Sequence, residues 1–332
     1  MASDFAGSRG RLATVTAALV ALLVAAPLAG LMLGDRLVLL GDLVNWVNGA
    51  TGPALTFVLD QRLPRVLAAL AAGAPLAAAG CGVQSVCRNP LAEPGLLGIT
   101  AGAGVGAITL ITLVPAAAGW HIAGAAGLGA GLAFALVYAL SWQSGLDSDR
   151  LVVIGIALWS AGMAVTTLLI VTSDPWNTAK ALTWLSGSTY GRTLPQLAPI
   201  GVALVLLVPL LWSRHRELDL QSLDDDTPRV LGVRVEPSRL LILAASAALA
   251  ATAVSAIGVV AFVGLVAPHL ARSLVGGRHS RVLPVATTLG ALLVSTADTL
   301  GRTLIAPAQI PAGLAIALIG APYFVLTLWR TR

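Results

Sequence analysis

The side chains that could bind a metal ion or attack a substrate are few and scattered. The only cysteines, Cys81 and Cys87, are six positions apart. On a helix that spacing places them about 240° apart, so they do not face a common ligand. The four histidines stand apart from one another and from both cysteines. The sequence therefore predicts neither a metal centre nor a disulfide framework, and the cysteines are expected to pack as small apolar residues.

Charged residues that could drive transport are also scarce. No Walker A motif is present, so the chain cannot bind ATP by that motif. Carriers coupled to protons or sodium ions usually place Asp, Glu or Lys inside their membrane segments. The nearest candidate here is Asp298, at the end of an apolar segment. We therefore expect a transport subunit that is not an enzyme and takes its energy from another chain.

A short polar segment, residues 88–94, interrupts two apolar segments rich in small residues and reads RNPLAEP. Polar backbone at membrane depth is tolerated only where protein or water covers it. The segment therefore predicts either a pathway or an interface. Glycines after it recur every three or four residues, which favours tight helix packing or the smooth wall of a pathway. They are Gly95, Gly98, Gly102 and Gly106.

The composition is typical of a polytopic membrane protein. Hydrophobic residues make up 57% of the chain and charged residues 11%, with a mean hydropathy of +0.88. A helix needs about 20 apolar residues to cross the hydrocarbon. Two of the charge-free segments, 94–146 and 240–271, are long enough for two spans each, with turns near residues 115–119 and 257–258. We therefore predict an all-α protein with about ten transmembrane helices. Segment 282–297 is short, so its span is expected to be tilted, buried or extended by its flanks. The segments are 12–34, 66–87, 94–146, 151–173, 193–213, 240–271, 282–297 and 303–329.

The distribution of positive charge predicts the orientation. With the N-terminus inside, ten spans place fourteen of the 20 Lys and Arg residues on the cytoplasmic side. An excess of Lys and Arg marks that side of a membrane protein. Both termini are therefore expected in the cytoplasm, and the net charge of +5 reflects topology rather than a nucleic-acid partner. The first apolar segment resembles a signal-peptide core, but no soluble domain follows it, so it is interpreted as a retained helix.

Two hydrophilic segments exceed turn length. Residues 172–194 are expected outside the membrane, with aromatic side chains at the interface. Residues 213–239 are expected in the cytoplasm. There Asp226 or Thr227 could cap a short helix that Gly232 ends. A charged helix outside the membrane favours contact with a soluble partner over a simple connection between two spans.

Six motifs follow one another in the order found in a known family and cover about residues 60–328. They read RLPRVLAAL, RNPLAEPGLLGITAGAGVGA, WLSGS, LGVRV, GVVAFVGLVAPHLARSLVGGRHSRVLPVATTLGALLVSTADTLGR and IPAGLAIALIGAPYF. Through them the chain resembles the iron-siderophore and cobalamin permeases of ABC importers, the FecCD family.

The resemblance implies the type II ABC importer architecture, with residues 1–332 forming a single transmembrane permease domain in the plasma (inner) membrane. It implies a ferric siderophore as substrate, delivered by an extracytoplasmic binding protein. It also implies a second permease subunit and two cytosolic ATPase subunits that bind ATP and Mg, while this chain binds no cofactor. Departures from the family pattern at Ala261 and Gln309 slightly favour a heterodimer of permeases over a homodimer.

The resemblance further implies roles for three groups of residues. Docking of the binding protein falls on Arg62, Arg65 and Arg302. Coupling to the ATPase falls on Leu223, Asp225, Arg229, Leu231 and Gly232. The cytoplasmic gate falls on Ser148 and Asp149, for which the simpler interpretation is a helix cap.

Three alternatives remain open. Import of haem or cobalamin fits the same family, and no residue chooses between these substrates. A secondary transporter or channel would show intramembrane charges or inverted repeats with broken helices, and neither is evident. An exporter permease would have no use for docking arginines on the outside.

The topology can be tested by labelling single cysteines. In a background lacking Cys81 and Cys87, we expect Ser222→Cys and Thr178→Cys to react with a membrane-impermeant thiol reagent from opposite sides, because the arginine distribution places residue 222 inside. Labelling of both from outside would overturn the predicted number of spans.

Overall fold

A computed structural model describes residues 2–34, 36–114, 116–143, 145–306 and 308–330, and these are almost entirely helical. One short 3₁₀ helix, Pro94–Leu97, joins the α-helices. The α-helices are α1 Ala2–Met32, α2 Leu40–Val47, α3 Pro53–Val86, α4 Ile99–Leu113, α5 Gly119–Ser141, α6 Ser148–Val171, α7 Pro175–Leu185, α8 Leu194–Ser213, α9 His215–Gln221, α10 Asp226–Val230, α11 Val235–Ile257, α12 Val263–Val275, α13 His279–Thr303 and α14 Ala312–Arg330.

Ten of these helices correspond to the ten predicted spans. Within the described residues, seven are long and apolar enough to cross a membrane: α1, α3, α5, α6, α8, α11 and α13. Three shorter apolar helices, α4, α12 and α14, complete the set. The segment 282–297 looked short in the sequence, but its flanks extend it into the 25-residue helix α13. The predicted all-α membrane fold is confirmed.

Helix α3 forms the centre of the bundle, because glycines let its neighbours approach to backbone contact. A Cβ atom placed on Gly73 would lie 2.1 Å from the carbonyl oxygen of Gly290 in α13. A Cβ atom on Gly80 would lie 1.9 Å from the carbonyl oxygen of Gly264 in α12. Without a side chain at these positions the helices pack through van der Waals contact, which is the main attraction between helices in lipid.

The glycine-rich face after the polar segment packs tightly in its later part. Gly102 meets the backbone of Gly129, and Gly106 meets that of Ala125, so α4 and α5 pack closely. Gly95, in the 3₁₀ helix before α4, instead lines a cavity, and the wall of a pathway stays a prediction. Tight packing therefore accounts for the later glycines and not for the first.

Two of the connections between the described helices, residues 87–98 and 258–262, are irregular, and we call them breaks. Each contains a residue other than glycine with a positive φ angle: Arg88 at 49° and Phe262 at 68°. The second break lies at the turn predicted near residue 258, where α11 ends. Bulky residues rarely adopt positive φ, so surrounding contacts must hold both segments in place.

Candidate functional site

A buried ion pair organises one end of the bundle, which we call the Asp298 end. Asp298 of α13 is 1% exposed and accepts hydrogen bonds from Nε of Arg65 in α3, at 3.0 and 3.1 Å. The Nη2 atom of Arg65 lies 2.9 Å from the same carboxylate. Thr189 donates its hydroxyl to Asp298, and Gln309 accepts from Arg65. The cluster therefore joins α3, α13 and two connecting segments.

Two more arginines at this end satisfy the last carbonyl groups of α1. Arg62 donates to the carbonyl oxygen of Leu31 at 2.9 Å and to that of Arg36 at 2.6 Å. Arg302 donates to the carbonyl oxygen of Gly30. Helix C-termini leave four carbonyls without intrahelical partners and carry partial negative charge. These guanidinium groups supply both the donors and the compensating charge.

The structure thus brings Arg62, Arg65 and Arg302 to one end, with side chains that are 5%, 7% and 4% exposed. Their implied contact with a binding protein remains a prediction. In this conformation the three arginines are buried, so they could reach a binding protein only if the cluster of side chains around Asp298 opened. The exposed side chains beside it are Tyr190, whose ring lies 5.8 Å from the guanidinium carbon of Arg65, and Arg36. Sequence reasoning gave neither a docking role.

At the opposite end, which we call the Asp225 end, a second ion pair holds the segment before α10. Asp225 pairs with Arg239 of α11, which is 2% exposed, and lies 3.3 Å from Arg88. Arg239 also donates to the carbonyl oxygen of Leu146 at 3.2 Å. Burial disfavours the Asp225 carboxylate, yet the hydrogen bond and charge of Arg239, with Arg88, keep its pKa below the ordinary value. The Asp225 carboxylate is therefore already paired with arginines of this chain.

Helix α10 projects apolar side chains beyond this ion pair. Asp224 accepts from the backbone N–H groups of Asp226 and Thr227 at 3.0 and 2.5 Å, so the prediction that Asp226 or Thr227 supplies the cap is wrong. The error is physical, since an aspartate caps donors two or three residues ahead of itself. Gly232 ends the segment with φ of 80°. The exposed side chains from residue 223 to 231 are Leu223, Asp224, Asp226, Arg229, Val230 and Leu231.

The predicted gate residues lie where α6 begins, beside the end of α3. Ser148 is buried and donates its hydroxyl to the carbonyl oxygen of Val86 at 3.0 Å. Asp149 is exposed. Asp147 caps the helix by accepting from the N–H groups of Asp149 and Arg150, at 2.9 and 3.3 Å. Capping therefore belongs to Asp147, and Ser148 ties α6 to α3.

Between the two ends, Glu93 meets the break between α11 and α12. Its Oε1 atom accepts a hydrogen bond from the backbone N–H of Phe262 at 2.8 Å. Glu93 also lines a cavity of about 610 Å³. The polar segment was predicted to mark a pathway or an interface, but no role was predicted for Glu93 itself. The only signal in the sequence is a carboxylate between two prolines.

The cysteines and histidines assemble no metal centre among the described residues. Cys81 and Cys87 are free and buried. No group of three or more His, Cys, Asp or Glu side chains in the described ranges could hold a metal ion.

The buried pair at the Asp298 end predicts an asymmetric response to mutation. Asp298→Ala leaves Arg65 as an uncompensated buried charge, which costs about 3–5 kcal/mol. The apparent Tm of the detergent-solubilised protein should fall clearly. Arg65→Met combined with Asp298→Leu should regain part of that loss. Asp60→Ala, which removes an exposed carboxylate bonded to Trp46, is the control with little effect. A double variant no more stable than Asp298→Ala would contradict the pairing.

Comparison with known proteins agrees with this architecture. The FecCD transport family matches residues 20–330. The achromobactin transport system permease of Dickeya dadantii is 39% identical over 86% of this chain and 82% of its own. The Fe(3+) dicitrate transport system permease of Escherichia coli is 40% identical over 83% and 86%.

A solved structure supports the same assignment. An inward-facing metal-chelate type ABC transporter superimposes with a TM-score of 0.84 at 30% identity, covering 96% of this chain and 99% of that one. With the family match and the sequence relatives, this likeness shows that the chain belongs to the FecCD transport family.

Proposed function

We propose that this chain is the transmembrane permease subunit of an ABC importer that carries a ferric siderophore into the cytoplasm. The observation that carries the proposal is full-length similarity to permeases named for ferric chelates. Besides achromobactin and dicitrate, these include the iron(3+)-hydroxamate import permease of Bacillus subtilis, 35% identical over 83% of this chain and 84% of its own.

The orientation follows from the positive charges. The Asp225 end faces the cytoplasm and the Asp298 end faces outward, because the arginine-rich loops gather at the former. The N-terminus and the C-terminus are cytoplasmic. A second permease subunit completes the pathway, and an extracytoplasmic binding protein delivers the chelate to the Asp298 end. ATP and Mg bind to the ATPase subunits, and this chain holds no cofactor.

The contact with the ATPase is formed by the segment from Leu223 to Gly232. Its exposed leucines suit a groove in a protein surface, since exposed apolar side chains outside the membrane mark interaction sites. The ion pair of Asp225 with Arg239 fixes the base of the segment to α11. A displacement of Leu231 by the ATPase would therefore move the membrane helix α11 directly, rather than only a flexible loop.

Two further roles belong to the same proposal. Ser148 and Asp149 meet their counterparts across the permease dimer and close the inner side of the pathway. Arg62, Arg65 and Arg302 act at the docking surface, either by direct pairing once the cluster opens or by holding the surface that the binding protein touches. The hydrogen bond from Ser148 to α3 gives the gate a rigid support.

Reconstitution tests the function and the coupling together. The permease, its ATPase and its binding protein are placed in liposomes, and uptake of ⁵⁵Fe is measured with ferric hydroxamate, ferric citrate and ferric achromobactin. ATP-dependent uptake of at least one chelate is expected. If the complete complex transports none of them, the proposed function is wrong.

Two matched glycine variants isolate the coupling segment. Gly232 and Gly49 both have positive φ, 80° and 69°, and both have open space around the position of a Cβ. Valine at either position brings a similar backbone penalty. Gly232→Val should lower uptake about tenfold at retained ATP hydrolysis, which corresponds to about 1.4 kcal/mol of coupling free energy. Gly49→Val, in the connection between α2 and α3, should leave uptake near normal. Equal effects of the two variants would reduce the segment to a connector.

A further inference from the structure

The cavity beside Glu93 lies well inside the span of the bundle. Gly264, two residues after Phe262, packs on Gly80 of α3. Arg65 and Ser85 mark the two ends of α3 within the bundle, 85 − 65 = 20 residues or about 30 Å apart. Gly80 is five residues, or about 7.5 Å, from Ser85. The hydrogen bond of Glu93 to Phe262 therefore sits at a depth where hydrocarbon surrounds the protein.

The cavity is elongated along the helices. Its wall on α6 extends from Ile156 to Thr166, ten residues or about 15 Å along the axis. Residues from α4 and from the break at 259–261 form the other walls. The lining thus extends along α6 over about half of the roughly 30 Å thickness of the hydrocarbon.

The carboxylate of Glu93 indicates what fills the cavity. The side chain is half-buried and lines the wall. A carboxylate at membrane depth is costly unless it faces protein or a water-filled space. One hydrogen bond from Phe262 leaves the remaining acceptor sites of the group to be satisfied. Water in the cavity, with other protein rather than lipid tails at its mouth, would meet this requirement.

The break at residues 258–262 supplies a second, independent observation. Discontinuous helices with irregular backbone mark substrate sites in membrane transporters, because such backbone must line a cavity or be covered. Phe262 adopts a positive φ of 68° and packs against Gly320 of α14, where a Cβ would lie 3.0 Å from the phenylalanine. A backbone held in a costly conformation beside a cavity is a feature of functional sites.

A neighbouring cavity provides an internal comparison. It has a volume of about 530 Å³ and shares Ala101 and Gly162 with the first cavity. Its described lining consists of apolar residues and glycines only. An apolar lining of this kind can face lipid tails without leaving a polar side chain unsatisfied. The Glu93 cavity therefore differs from this one in its polar lining, namely the carboxylate of Glu93 and the hydroxyl-bearing Thr100 and Thr166.

We propose that the Glu93 cavity is a water-filled section of the translocation pathway and that Glu93 is its polar contact for the passing chelate. The inference rests on the proposed function. The ligand is a ferric chelate with apolar outer faces, which suit the walls, and with N–H or O–H donors, which the free acceptor sites of Glu93 receive. Glu93 also holds Phe262, so one residue links the pathway wall to the helix break.

Thiol reactivity tests the water-filled cavity without any transport. In a background with Cys81→Ala and Cys87→Ala, single cysteines replace Met163 in the Glu93 cavity and Leu128 in the apolar cavity. The two positions share one depth, because Gly162 packs on Ala101 and Gly129 packs on Gly102. Leu128 is the more exposed, 72% against 43% for Met163.

With a charged methanethiosulfonate reagent on the complete complex in liposomes, Met163→Cys should react about tenfold faster than Leu128→Cys, since only the thiolate reacts and it forms in water. The exposed fractions alone would predict the opposite order of rates, with the cysteine at residue 128 reacting faster. Equal rates, or faster reaction at residue 128, would overturn the water-filled cavity. This readout does not require uptake, so it can fail while the proposed function stands.

Glu93→Gln tests the contact with the chelate. The amide oxygen still accepts from Phe262, while the charge and one acceptor group are lost. We expect a raised KM for uptake of a ferric hydroxamate at unchanged kcat and normal protein yield. Slower modification of Met163→Cys during turnover with that chelate is also expected. If Glu93→Gln transports with normal KM, or turnover leaves the modification rate unchanged, Glu93 only supports Phe262 and the proposed contact is wrong.

Discussion

Every polar backbone group inside the membrane must find a partner in the protein, because hydrocarbon offers none. Three of the charged residues of this chain that lie inside the bundle serve that requirement. Arg62 and Arg302 cover the last carbonyls of α1. Glu93 covers the N–H of Phe262, where the helix is broken. The scarcity of charge and its location are thus two results of one constraint.

The same constraint divides the molecule into fixed and deformable parts. Asp298 with Arg65 fixes one end, and Asp225 with Arg239 fixes the other. Between them α3 meets α12 and α13 through glycine backbones, which leaves little room for sliding. The break at 258–262 is held by the hydrogen bond of Glu93 to Phe262, by contact with α14, and by close backbone contact with Trp184 and Gly187 at the end of α7. Most of these partners belong to helix ends and connecting segments, so we expect movement driven from the Asp225 end to concentrate at this break.

The ten spans and the turn near residue 258 could be predicted from the sequence, because apolar length and glycine act locally. We predicted that Asp226 or Thr227 caps α10. Several adjacent polar residues could do so, and only the structure shows that Asp224 accepts the hydrogen bonds of the first N–H groups. The partners of Arg65 and Glu93 could not be predicted. Asp298 and Phe262 lie 233 and 169 residues away in the chain. No local pattern encodes contacts over such distances, and the charge of an arginine alone suggests a surface as readily as a buried pair.

Amide hydrogen exchange on the assembled transporter tests this division most directly. Exchange would be followed by mass spectrometry without nucleotide and with a non-hydrolysable ATP analogue. The account predicts that residues 88–98 and 258–262 change their exchange between the two states, while the contact of α3 with α13 around Gly73 stays protected in both. A change in the α3–α13 contact with the break unchanged would contradict it.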